Sequence, residues 1–162
     1  VLAATLMGMP DSVTGTEGGK AKDFISVEDS GVVVMKYPRG IATATASWTQ
    51  IGNLTSYETT IYGSKGTLLV YPGSDGKLFW ATKDNPNGTE VDVPELDSWL
   101  KNSARHFVEV VRRGTDSTAL CRADLARDAQ EIVEAGIRSA HNGTQIKLPL
   151  ARGINGESTC RA

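Results

Sequence analysis

The 162-residue chain is 40% apolar and 22% charged, the composition of one ordinary folded domain and far from a disordered or collagen-like segment. With 17 Lys and Arg against 19 Asp and Glu, the formal charge of -2 offers no sustained positive field to hold a nucleic acid backbone. No apolar run approaches the roughly 20 residues of a membrane helix, and no basic head with an apolar signal core opens the chain, so a cytoplasmic protein is expected.

The chain starts inside an apolar run, Val1 to Met7, closed by Gly8 and Pro10. Helices usually begin at a polar cap, so this run reads as a helix that has lost residues upstream. Gly15-Thr16-Glu17-Gly18-Gly19-Lys20-Ala21 has the look of a phosphate loop, but its glycine spacing is one residue short and Ala21 stands where Ser or Thr would hold magnesium. From Val13 to Val93 short β-rich segments alternate with turn residues. The clearest predicted strands run from Gly31 to Tyr37, Ile41 to Gln50, Tyr57 to Tyr62, Thr67 to Tyr71 and Lys77 to Ala81. Pro38-Arg39-Gly40, Gly52-Asn53, Gly63-Ser64-Lys65-Gly66 and Pro72-Gly73-Ser74-Asp75-Gly76 link them, and links this short force neighbouring strands to run antiparallel in one sheet.

After Pro94 the apolar period lengthens to about 3.6 residues. The pattern predicts a helix from Asp97 as N-cap to Arg113, with Leu100, Ala104, Phe107, Val108 and Val111 as its buried stripe and Gly114 as its stop. A second helix is expected from about Arg122 to His141, burying Leu125, Ala129, Ile132, Val133, Gly136, Ile137 and Ala140. Gly136 within that face predicts close contact with the sheet. A closing strand from Gln145 to Leu148 follows, then a tail.

This order implies an α+β fold, a largely antiparallel sheet with helices packed on one face and the other face open. In Ile41 to Trp48, Thr43, Thr45 and Ser47 fall on one side of the strand and Ala42, Ala44 and Ala46 on the other. Such a shallow surface suits self-association through the open face, with a solvated threonine-rich face as the alternative.

Chemistry-bearing residues are few. Cys121 and Cys160 read as free thiols, and Asn53, Asn87 and Asn142 start Asn-x-Ser/Thr patterns that turn sequences explain better. His106 and His141, the two histidines, form no cluster with metal-ligand spacing. A hydrolase triad built on His106 lacks a Gly-x-Ser-x-Gly elbow, and His106 reads as a partly exposed helix residue. No Gly-x-Gly-x-x-Gly fingerprint follows a strand, so no self-contained Rossmann site is encoded.

Four motifs in order carry a resemblance. Leu6-Met7-Gly8-Met9-Pro10, Tyr37-Pro38-Arg39-Gly40-Ile41-Ala42, Tyr57-Glu58-Thr59-Thr60-Ile61-Tyr62-Gly63-Ser64-Lys65-Gly66-Thr67-Leu68 and Ala135 to Thr144 with Lys147-Leu148-Pro149 are similar to segments of one family. The chain resembles the C-terminal domain of the glucose–fructose oxidoreductase, inositol dehydrogenase and MocA oxidoreductases. The resemblance implies a substrate and oligomerisation domain over residues 1–150 with a tail over 151–162, lying beside an N-terminal Rossmann domain absent from this chain.

It also implies that NAD or NADP is bound mainly by that absent domain, that the substrate is a sugar, inositol or related polyol, and that the protein is a homo-oligomer. The acid/base residues of the family would fall outside this chain, its motif histidine roughly two residues before Val1, and Val1 replaces an aspartate that many members carry. No catalytic residue, cofactor ligand or metal ligand is therefore expected here. Tyr57, Trp99 and Asn102 are the implied substrate contacts: flat rings to cover a sugar face and an amide to bond its hydroxyls. Core packing of Tyr57 and Trp99 is the competing reading, and a free-standing sheet module for dimerisation or carbohydrate binding is the rival function.

Overall fold

A computed structural model describes residues 1–19, 24–52, 57–71, 76–114 and 122–151. In chain order its elements are α1 (Leu2–Met7), β1 (Ser12–Gly18), β2 (Ser30–Tyr37), β3 (Gly40–Ser47), β4 (Thr59–Gly63), β5 (Gly66–Tyr71), β6 (Lys77–Ala81), β7 (Thr89–Val91), α2 (Ser103–Arg113), α3 (Ala123–Asn142) and β8 (Ile146–Lys147). The expectations for Lys20, Ala21, Asn53, Cys121, Cys160, the turn at 72–75 and the tail from 152 onward lie outside the described residues. The chain divides into two compact units, Val1–Gln50 with Arg113–Ala162, and Ile51–Arg112.

In the first unit the strands pair antiparallel in the order β3-β2-β1-β8. The register puts Val13 opposite Met35 and Met35 opposite Ala42, so these side chains share one face. That face packs on α3, and the core consists of Ala4, Val13, Met35, Tyr37, Ile132 and Ala135. Burial raises the Tyr37 phenol above its ordinary pKa, since the ionised ring would lose its water there.

Close approach of α3 to β1 decides which helix residues lie inside. A Cβ built on Gly15 would stand 2.1 Å from the Gly136 carbonyl oxygen, so two glycines meet backbone to backbone. Ser139, fully buried, accepts a hydrogen bond from the Gly15 N–H at 2.9 Å and donates one to the Thr144 carbonyl at 2.6 Å. The contact therefore centres on Ile132, Ala135, Gly136 and Ser139. Val133 and Ile137, expected inside, are exposed, because the small residues beside them let the strand come closest.

The second unit is an antiparallel meander in the order β4-β5-β6-β7, followed by α2. Every ladder is antiparallel, as the short links required, but the strands form two sheets where the sequence suggested one. The break falls between β3 and β4, which residues 48–58 separate in sequence. Neither β1, at the centre of the first sheet, nor the short β7 stood out as a strand in the sequence. The glycines of β1 disguise as a loop a strand covered on one face only.

Helix α2 corrects two further expectations. It begins at Ser103, six residues after Asp97, because the Asp97 carbonyl closes a separate turn with the Leu100 N–H at 2.8 Å. Its expected stripe is not buried: Phe107, Val108 and Val111 are 68%, 54% and 64% exposed. The side turned inward carries His106, which is 4% exposed and not the partly exposed residue anticipated.

Candidate functional site

The segment leading into α2 is held by its own side chains. The Trp99 indole N–H donates to Asp97 Oδ2 at 3.2 Å, and Lys101 pairs with Glu95 at 3.0 Å. Asn102 then caps the helix, its side-chain oxygen accepting from the N–H groups of Ala104 at 3.0 Å and Arg105 at 3.1 Å. Its backbone carbonyl takes the first helical bond, from the His106 N–H at 2.9 Å.

This start fixes the rotation of α2 and brings His106 under Trp99. The two rings stack with centroids 5.5 Å apart and planes 7° apart. An imidazole covering part of the indole supports it as a rigid flat wall. Beside it lies an open groove of about 380 Å³, lined by Ser98, Trp99, Ala104, Arg105, Val108 and Glu109. Trp99 and Val108 supply apolar surface, while Ser98, Arg105 and Glu109 supply polar groups. Glu109 is also paired with Arg112 at 2.7 Å.

Of the three residues expected at a substrate site, Trp99 lines this groove and is half-buried. Asn102 lies beside it in sequence, but its oxygen is committed to the cap, which leaves the amide nitrogen as a donor. Tyr57 is 87% exposed, which removes the core reading of that ring, and it is not among the groove-lining residues. The sequence did not single out Ser98, Arg105 or Glu109, and it assigned Val108 to the core stripe of the helix. Arg105, Val108 and Glu109 share one face at spacings of three and four residues, as in any helix over them, but nothing in the sequence signals that Trp99 lies beside that face.

Among the described residues no group of His, Cys, Asp or Glu side chains could hold a metal ion. No helix among them is long and apolar enough to cross a membrane. His141, in the first unit, lies 3.0 Å from Glu17 at the surface. The glycines that resembled a phosphate loop do not form one: Gly15 and Gly18 are in β1, and Gly15 is sealed against Gly136. Gly15 and Gly18 therefore do not form the glycine turn, opening onto a helix N-terminus, on which dinucleotide phosphates rest in a Rossmann site.

Residues 2–148 match the family described as oxidoreductase family, C-terminal alpha/beta domain. No curated protein sequence gives a significant match. Among solved structures, the chain is similar to aldose-aldose oxidoreductase from Caulobacter crescentus, complexed with glycerol, at 20% identity and a TM-score of 0.71, over 90% of this chain and 44% of that one. Levoglucosan dehydrogenase in complex with NADH and levoglucosan aligns at 16% identity and a TM-score of 0.72, over 92% and 47%. The WlbA dehydrogenase from Bordetella pertussis, in complex with NADH and UDP-GlcNAcA, aligns at 22% identity and a TM-score of 0.60, over 92% and 42%. At these identities the likeness is one of fold, and the chain spans less than half the length of each of these structures.

Proposed function

This chain belongs to the oxidoreductase C-terminal alpha/beta domain family, and from that premise we propose that it is the substrate-side and oligomerisation domain of an NAD(P)-dependent oxidoreductase acting on a sugar, inositol or related polyol. The family match over residues 2–148 carries the reading. Within it, an N-terminal Rossmann domain binds the nucleotide and brings the acid/base residues, and this chain, inactive alone, forms the opposing wall of the pocket. The structures similar in fold include enzymes solved with NADH and with a sugar, which supports the substrate class and the cofactor.

The part assigned to this chain is binding and orientation. Trp99 offers a flat apolar surface to the C–H face of a sugar ring, and Ser98, Glu109 and the Asn102 amide nitrogen offer partners for hydroxyls. Tyr57, exposed at the entry to β4, is proposed as a second ring against substrate. The outer face of the first sheet, with Thr14, Thr16, Val32, Val34, Ile41, Thr43 and Thr45 on one side, is proposed as the self-association surface.

The test is expression of the whole reading frame that contains this chain, assayed with NAD and NADP against a panel of sugars, inositols and polyols. At least one should support nucleotide reduction, and Trp99→Ala should raise KM for it roughly tenfold, the scale of about 1.4 kcal/mol of lost binding. A product that binds neither nucleotide and reduces neither with any of them would end this reading. The rival, a free-standing sheet module, is favoured instead if that frame encodes no nucleotide-binding domain.

A further inference from the structure

Charge is unevenly compensated along the groove beside Trp99. Two of its lining residues are ionic, Arg105 and Glu109, one helical turn apart on α2. Glu109 already has a cation, Arg112, at 2.7 Å. Arg105 is the opposite case: among the described residues no acidic side chain pairs with it. The groove therefore presents one uncompensated guanidinium next to an aromatic wall.

A guanidinium is a planar fork of N–H donors that stays charged at any working pH, and its best partner is a carboxylate or a phosphate, bound through two parallel hydrogen bonds. An indole matches the apolar face of a pyranose. Neutral sugars would use the indole and leave the charge unanswered. We propose that the groove selects a sugar carrying one anionic group, a carboxylate or a phosphate, with its ring against Trp99 and its anion on Arg105. This deepens, and rests on, the reading of the groove as a carbohydrate site.

The experiment is a titration of the chain followed by NMR at the Trp99 indole N–H, assigned by its loss in Trp99→Phe. The probes are D-glucose, D-glucuronate and D-glucose 6-phosphate at constant ionic strength. At least one anionic sugar should bind tenfold or more tightly than glucose, and whichever does so identifies the anion. Arg105→Gln should abolish that preference, and Arg105→Lys should keep part of it, since the charge survives without the fork. Arg105 is exposed, so neither variant threatens folding, and unchanged backbone spectra check this.

Equal binding of glucose and both anionic sugars overturns the anion preference and leaves the carbohydrate reading standing. A preference that survives in Arg105→Gln also overturns the assignment to this residue. A Trp99 resonance that none of the three probes moves overturns both readings together.

Discussion

Gly15 and Gly136 are the residues on which the first unit turns, and their substitutions should differ. A methyl group at Gly15 meets the Gly136 backbone, with its oxygen at 2.1 Å and its carbonyl carbon at 2.7 Å, and backbone cannot swing aside. Gly15→Ala should lower stability by about 3 kcal/mol, the upper range for overpacking a close contact. A methyl at Gly136 meets only the Val33 side chain, at 2.9 Å, and regains about 1 kcal/mol of helix propensity. Gly136→Ala should therefore cost under about 1 kcal/mol by the same reckoning. Chemical denaturation of both variants checks this, and equal losses would refute the backbone-to-backbone contact.

The sequence showed one side of this pair and concealed the other. Gly136 interrupts an amphipathic helix, and an interruption on the buried face announces close packing. Gly15 sits in a run of glycines and polar residues, which by composition resembles a loop. Its role depends on a partner 121 positions away, and neither periodicity nor turn chemistry carries that information.

Among the elements, α2 separates local signals from tertiary ones most clearly. Its C-terminal stop was legible in Arg112, Arg113 and Gly114, while its start was not, because Asp97 and Asn102 are both good caps and only one is used. The expected apolar stripe failed for a related reason. Once the helix begins at Ser103, the Trp99 stack fixes which side faces inward, and His106 takes the buried place. Trp99 was legible as a substrate candidate through the resemblance, whereas nothing in the sequence marked Arg105 and Glu109 as lining a groove with it.

Asn102 tests the two roles offered for it. Asn102→Ala should destabilise α2 by about 1 kcal/mol through loss of the cap, whereas Asn102→Asp, which keeps the accepting oxygen, should stay within about 0.5 kcal/mol of the parent. Hydrogen exchange of the Ala104 and Arg105 amides reads the cap directly. If Asn102→Asp preserves those amides yet weakens substrate binding in the whole enzyme, the amide nitrogen is the substrate donor. Amides that exchange equally fast in both variants would show that the side chain does not cap the helix.

Over the whole molecule, the outer face of the first sheet is where assembly is proposed. Val32 lies opposite Thr45 and Thr16, in a shallow layer of small and β-branched side chains. Thr45 is exposed, so Thr45→Lys leaves the fold intact while placing a cation in the middle of any sheet-to-sheet contact. Sedimentation should show the parent self-associating and Thr45→Lys doing so at least tenfold more weakly, about 1.4 kcal/mol. A parent chain that stays monomeric at high concentration would dismiss the interface. The α+β class and the antiparallel pairing were legible because turns and periodicity are local. The division into two sheets was not, because the link between β3 and β4 is as long as the one between β1 and β2, which pair, so link length alone does not mark the break.

The first unit takes its residues from both ends of the chain, and the second is one continuous stretch between them. Strand β8 reaches β1 by pairing Ile146 with Val13 and Lys147 with Ser12. During synthesis the meander of the second unit is therefore complete while β1 still lacks its last neighbour and the helix that covers it. β1, made before β2 to β8, is among the last of these strands to be enclosed, and the nascent chain carries its apolar side uncovered until α3 has emerged.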